Sequence, residues 1–553
     1  MKKIVALALF ACAFFPALAQ HTEQNHGIRF EQLGPLLRTP NVYRTASGAP
    51  GHLYWQQQAN YVIDVELDDA NQSIKGKETV TYINNSPDVL TYLWLQLDQN
   101  NRGKDSDTPK VTESSITPKM SLRTLEGILW HSDDYDVKIL SIQDASGKPL
   151  NVAINKTMMR IDLPQPLKAG ETVQFSIDWS FNITDRVGYI GGRPGYEYFP
   201  KDGNYLYTMA EWFPRMAVYS DFQGWQNKQF LGQGEFALTF GDYEVRITVP
   251  ADHMVGATGV LQNPEQVLSA TELQRWNKAK QTYDAPVIIR TQAEAEALEK
   301  KKAAGKKTWI FKAENVRDFA WTSSRKFIWD AMAVKQGGKD VMAMSYYGKE
   351  GNPLWEQYST RVVAHTLKSY SSHTFDYPYP TAISVEGSNG MEYPMICFNY
   401  GRPDSDGTYS DAIKYGMISV IIHEVGHNYF PMIVNSDERQ WTWMDEGLNT
   451  FMQFMAEQEW DRNYPSRRGP AHKIVPYMKS EKHLLEPIMT NSENIIQFGP
   501  NAYAKPATAL NILRETVMGR DLFDFAFQEY SKRWMFKHPT PDDLFRTLED
   551  ASA

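Results

Sequence analysis

Apolar and polar residues alternate in short runs through the first half of the chain. "NYVIDVEL" sets Tyr61, Ile63, Val65 and Leu67 on one face. "VQFSIDWSF" does the same with Val173, Phe175, Ile177, Trp179 and Phe181, and "GDYEVRITVP" with Tyr243, Val245, Ile247 and Val249. A period of two with polar partners predicts antiparallel strands with one face on a core and the other in water. Residues 101–120 are polar and predict a surface loop, and "AEAEALEKKKAAGKK" at 293–307 predicts a charged, solvated helix ending near Gly305. From about Trp309 the period lengthens. Helical patterns dominate there, with two or three short strands expected before residue 400.

The pattern predicts a multidomain chain: a β-rich N-terminal domain over 20–307 with polar insertions, then a mainly helical α+β domain over 308–553. Length agrees, because 553 residues exceed what one ordinary core serves. Hydrophobic residues at 42% and aromatics at 13% describe a globular chain. A net charge of −9 and the lack of a basic stripe argue against nucleic acid as a partner.

Residues 1–19 read as a secretory signal. Lys2 and Lys3 precede an apolar stretch, and Ala17 and Ala19 supply small residues before a cleavage at Gln20. Export to the periplasm or the extracellular space is therefore expected. No later stretch approaches the length of a membrane-spanning helix, so no integral membrane segment is expected after signal removal. Cys397 is then the remaining cysteine. It lies in the apolar run "YPMICFNY", where a small buried side chain is the expectation.

The segment 410–430 changes the picture. Ile413, Met417, Val420 and Ile421 recur at helical spacing, Ser410 or Asp411 can cap the start, and Pro431 follows the end. On such a helix His423 and His427 of "HEVGH" stand one turn apart on one face. Two imidazoles so placed can share one tetrahedral zinc, with Glu424 beside a metal-bound water. Eighteen residues after His427 comes Glu446 in "WTWMDEGLNTF". A second helix beginning near Asp445 would aim Glu446 at the same ion. Two histidines and one glutamate leave a fourth position open, which is the catalytic arrangement. Thr450, one turn on, could hydrogen-bond a ligand.

Spaced this way, the chain resembles the gluzincin zinc aminopeptidases, the aminopeptidase N and leukotriene hydrolase family. "GSNGMEYP" resembles the family's Gly-x-Met-Glu-Asn motif through Gly390, Met391 and Glu392, with Tyr393 in place of the asparagine. "EWFPRMAVYSD" (211–221) and "YAKPATAL" (503–510) resemble two further family segments, with Pro506 where glycine is usual. The resemblance implies a thermolysin-like catalytic domain, one zinc per chain and peptide substrates with a free N-terminus. It implies Glu424 as general base and Tyr503 as a donor to the oxyanion. It also implies Glu392, with Gly390 and Met391, and Glu211 as substrate-binding residues. A zinc endopeptidase of the same fold and a catalytically silent peptide-binding homologue are the alternatives.

Overall fold

The computed structural model describes residues 38–553 apart from 112–118, 123–124, 126–134 and 188–192. The signal segment and residues 112–118 of the polar stretch at 101–120 lie outside the described residues.

The alternating runs form a seven-stranded sheet. Its order is Val260–Leu261, Lys306–Val316, Gly241–Pro250, Gln58–Asp68, Ser73–Ile83, Thr172–Asn182 and Lys138–Asp144. Tyr61, Ile63, Val65 and Leu67 are buried, as are Phe175, Ile177, Trp179 and Phe181. Their polar partners remain outside, so register is set by one dry face. One position breaks the rule. Glu78 is fully buried against Trp179, and burial raises its pKa well above the ordinary carboxylate value. The expected junction at 308 falls inside the strand Lys306–Val316, which pairs with Gly241–Pro250 in this sheet.

The helix expected at 293–307 covers Gln292–Lys300, with a capping box at Thr291. It is less detached than its charge suggested, because Glu299 turns inward and accepts from Lys326 Nζ at 2.9 Å. Gly305 at φ +89° turns the chain into the next strand.

A further, six-stranded sheet takes all but one of its strands from beyond this point. Its order is Val287–Arg290, Ile328–Gln336, Lys339–Tyr347, Thr381–Glu386, Ile396–Asn399 and Met391–Tyr393. Six strands lie between Trp321 and Asn399, where the pattern predicted two or three. The reason is burial on both faces. Every residue of Thr381–Glu386 is buried, so no alternation appears. Helix Leu354–His373 packs on this sheet, and Cys397 lies buried in it.

The helix carrying the two histidines is Asp411–Gly426, with Ser410 rather than Asp411 as its cap through Ile413 N–H at 3.3 Å. The following helix, Leu448–Trp460, packs against it. Gly426 makes this close approach possible, since a Cβ there would meet the Tyr370 hydroxyl at 2.3 Å and Asn449 Oδ1 at 2.4 Å. Among the described residues no helix is long and apolar enough to cross a membrane.

Candidate active site

His423 stands in the last turn of its helix and His427 at the helix's C-terminal cap. Glu446 lies in a wide, π-type turn, Trp443–Gly447, that leads into the helix Leu448–Trp460. A turn widened by one residue re-aims its side chains, and such turns recur at functional sites. Here it brings Glu446 Oε2 to 3.0 Å from His423 Nε2 and 3.4 Å from His427 Nε2. The two Nε2 atoms are themselves 3.0 Å apart.

Three lone-pair atoms thus form a triangle with edges of 3.0 to 3.4 Å. A tetrahedral zinc with bonds of about 2.0–2.1 Å has ligand–ligand edges of roughly 3.3–3.4 Å, so the triangle fits one ion. The far nitrogens are already engaged. His423 Nδ1 is 2.9 Å from Gln453 Oε1, and His427 Nδ1 is 2.9 Å from both the Phe430 carbonyl and Asp445 Oδ1. Each ring therefore donates from Nδ1 and turns the Nε2 lone pair to the triangle. Asn449 Nδ2 donates to the His423 carbonyl at 2.8 Å. Thr450 makes no such bond: its buried hydroxyl has no hydrogen-bond partner and lines the cavity instead.

His427 also offers a ligand atom to Glu392 and Asp445, and Glu392 and Asp445 form a buried carboxylate group with Glu235 and Glu438. The triangle is the better metal position, because it faces the cavity and leaves the engaged Nδ1 atom of His427 undisturbed. Burial pulls the His427 pKa down, yet Glu392 and Asp445 outweigh it and hold the value well above normal. These carboxylates favour a positive charge at this spot, whether a proton on the ring or a metal ion. His423 moves the other way, lowered by burial and by His427. Burial pushes Glu446 up, but the two histidines more than offset it and keep its pKa well below normal.

Glu424 points into the same cavity, with Oε2 free of hydrogen bonds. Burial, reinforced by Glu446 and Glu235 and opposed by His427, raises its pKa to about 8. Gly390 approaches it closely, since a Cβ there would lie 3.0 Å from Glu424 Oε1. Met391 and Glu392 follow in the edge strand Met391–Tyr393. Tyr393, at the asparagine's place, is fully buried between Phe236 and Phe398, and its hydroxyl has no hydrogen-bond partner.

Tyr503 arrives on a second π-type turn, Gly499–Ala504, ahead of the helix Lys505–Ile512. Its hydroxyl donates to Glu446 Oε1 at 2.5 Å, and its ring stacks on His423 at 5.7 Å. Pro506 sits in the first turn of its helix, where proline is tolerated. Its ring packs on Gly447, whose added Cβ would meet Pro506 Cγ at 2.5 Å. The two wide turns are therefore locked together.

Glu211 adopts φ +52°, is buried, and lies 3.3 Å from Arg193 Nε. Arg193 pairs in turn with Glu235. Glu211 thus reaches the carboxylate group through an arginine, whereas Glu235 belongs to the group directly. Sequence reasoning missed Glu235, Glu438 and the role of Asp445. Glu235 is held by its neighbour Phe236, whose N–H donates to Glu438 Oε2 at 3.1 Å, while Glu438 accepts from Arg317 at 2.5 Å. No local signal in "GQGEFAL" marks this, since the partners lie some 40 to 210 residues away.

Residues 359–553 match the peptidase family M1 domain. The glutamyl aminopeptidase of Bitis rhinoceros is 26% identical over 206 residues, 35% of this chain and 21% of that protein. Aminopeptidase M1-D of Oryza sativa subsp. japonica is 23% identical over 233 residues, 40% of this chain and 26% of that protein. The matched stretch thus spans about a fifth to a quarter of the curated relatives' length. Among solved structures, an M1 zinc metallopeptidase from Deinococcus radiodurans superposes with a TM-score of 0.56 at 15% identity, covering 91% of this chain and 93% of that one. A mutant of it, described as bound to a Tyr-Ser-Ala substrate, superposes equally well. The fold is that of these peptidases: a β-rich N-terminal part and a mixed α+β catalytic part.

Proposed function

We propose that this chain is a zinc-dependent aminopeptidase of the M1 type, removing the first residue from peptides with a free N-terminus. The observation that carries the reading is a pair of buried carboxylates with open lone pairs. Glu392 Oε1 and Glu235 Oε2 have no hydrogen-bond partner, and the two side chains belong to one group whose oxygens lie within 4.8 Å. Burial and the Glu235 charge raise the Glu392 pKa well above normal, so the site gains most from a cation. An α-ammonium supplies that charge with three donors, and an acetylated terminus supplies neither charge nor the same donors.

In this reading His423, His427 and Glu446 hold the zinc. Bound there, zinc supplies Lewis acidity and a water acidified to a pKa of about 7. Glu424 accepts the proton of the attacking water at its free carboxylate oxygen and returns it to the departing amine. Water oxygen is thereby joined to the carbonyl carbon, the C–N bond breaks, and the amine leaves with the transferred proton. The Tyr503 hydroxyl, now on Glu446, is within reach of the metal-ligand group and donates to the carbonyl oxygen as its charge develops. Glu392 and Glu235 fix the substrate's ammonium, and Arg193 sets the position of Glu235. We further propose export, from the first 19 residues.

The test uses one peptide with a free or an acetylated N-terminus, with and without a chelator. Wild type should favour the free terminus roughly thirtyfold or more, since stranding a buried charge costs about 2–5 kcal/mol. Glu392→Ala should flatten that preference. Internal cleavage of the acetylated peptide, indifferent to Glu392→Ala, would overturn the aminopeptidase reading while leaving a metallopeptidase.

A further inference from the structure

The cavity runs in one direction from the metal ligands. His427, at the C-terminal end of its helix, borders the carboxylate group. The cavity of about 270 Å³ opens at His423 and follows the same helix back past Ser419 to Gly416. At about 1.5 Å per residue, Gly416 lies roughly 10 Å from His423 along the axis. An extended peptide advances about 3.3–3.6 Å per residue, so this reach accommodates two to three residues.

Two adjacent arginines line this cavity, Arg467 and Arg468. They belong to the connection between the helices Leu448–Trp460 and Ala471–Met478. The Arg468 guanidinium stands over the Tyr503 ring at 4.2 Å, which brings its charge beside the reacting group. Among the described residues neither arginine has a carboxylate within ion-pairing distance. The acid in the same wall, Glu457, is already served by Ser419 at 2.8 Å, Gln453 at 2.8 Å and Ser466 at 2.5 Å. Elsewhere in the site arginines are consumed by acids: Arg193 by Glu211 and Glu235, Arg317 by Glu438. Arg467 and Arg468 differ in presenting unspent donors to a cavity.

We propose that Arg467 and Arg468 bind a carboxylate of the substrate on the leaving side of the scissile bond. The direction rests on the aminopeptidase reading, which puts the substrate's N-terminus at Glu392. The shared chemistry is a carboxylate two to three residues in, and planar guanidinium donors match it with paired hydrogen bonds. Its source is either the terminal carboxylate of a di- or tripeptide or an acidic side chain just past the cleaved bond. The site then has opposite poles, acidic for the peptide's amino end and basic for a carboxylate. On a chain of net charge −9, the arginines offset repulsion of an anionic peptide.

The test is calorimetric binding to zinc-loaded Glu424→Gln protein. The probes are Ala-Ala-Ala, its C-terminal amide, and a C-amidated hexapeptide with Glu or Gln at its second position. A carboxylate probe should bind roughly tenfold tighter than its neutral partner, as for one charge-assisted hydrogen bond. That ratio should fall close to one in Arg468→Ala or Arg468→Gln, and fall less in Arg467→Ala. Using the ratio cancels any general effect exerted through Tyr503. A gain confined to the tripeptide acid assigns the terminal carboxylate, and a gain confined to the Glu hexapeptide assigns a side chain. Equal binding of all acid and neutral partners, or a preference that survives Arg467→Ala with Arg468→Ala, overturns the proposal. Wild-type hydrolysis of an alanyl arylamide, which carries no carboxylate, separately reports the aminopeptidase reading.

Discussion

His423 and His427 are the same residue on one helix, one turn apart, yet their surroundings differ in kind. His427 is 1% exposed and ringed by Glu392, Asp445 and the Phe430 carbonyl. His423 is 8% exposed and faces the cavity, held by the neutral Gln453 and covered by the Tyr503 ring. Their pKa values move in opposite directions accordingly. One end of the site is an anchored acidic pole built for positive charge. The other is an open working face assembled from two wide turns and a pair of arginines. Two histidines that look equivalent in a motif can therefore serve different neighbours.

The most severe way to break this contrast is to remove either ligand. His423→Ala and His427→Ala should each reduce bound zinc from one per chain to a small fraction and abolish turnover, checked by metal analysis of purified protein. Stoichiometric zinc surviving both changes would sink the ligand set.

Glu424→Gln lies between the two ends. The amide cannot accept a proton but scarcely changes shape, so zinc content should hold while kcat falls about 10²–10⁴-fold. More than about a tenth of the wild-type rate would remove Glu424 from its role.

Tyr503→Phe probes the open face alone. Loss of one donor to the developing oxyanion should lower kcat roughly 10²-fold with little change in KM. Steady-state kinetics decide it, and an unchanged kcat would assign the donor elsewhere.

The smallest effect sharpens the comparison most. Asp445→Asn weakens the charged partner of His427, and Gln453→Ala removes the neutral partner of His423. Changes behind a metal ligand typically cost 10–100-fold in affinity. The charged pole should lose about tenfold more than the neutral one in chelator competition. Equal losses would erase the distinction between the two ends.

Much of this was legible in the chain. Alternation found Gln58–Asp68, Thr172–Asn182 and Gly241–Pro250, because a strand with one wet face must alternate. It failed over Ile328–Asn399, where burial on both faces leaves no polar side to count. Helical period placed His423 beside His427, since 3.6 residues per turn is a local property. Val420, one of the apolar positions at helical spacing, is half-buried and lines the cavity. Spacing alone could suggest Glu446 but not its aim, which depends on the wide turn at Trp443–Gly447.

The sequence by itself determined what short-range geometry determines: the strand faces, the helix bearing two histidines, and the acid Glu424 beside them. Only the tertiary structure decided which charges meet. Glu235 joins Glu392 across 157 residues, Arg193 stands between Glu211 and Glu235, and Arg468 covers Tyr503. Periodicity records which side of an element is dry, whereas a buried charge is defined by partners that folding brings from distant segments, and no local pattern encodes their identity.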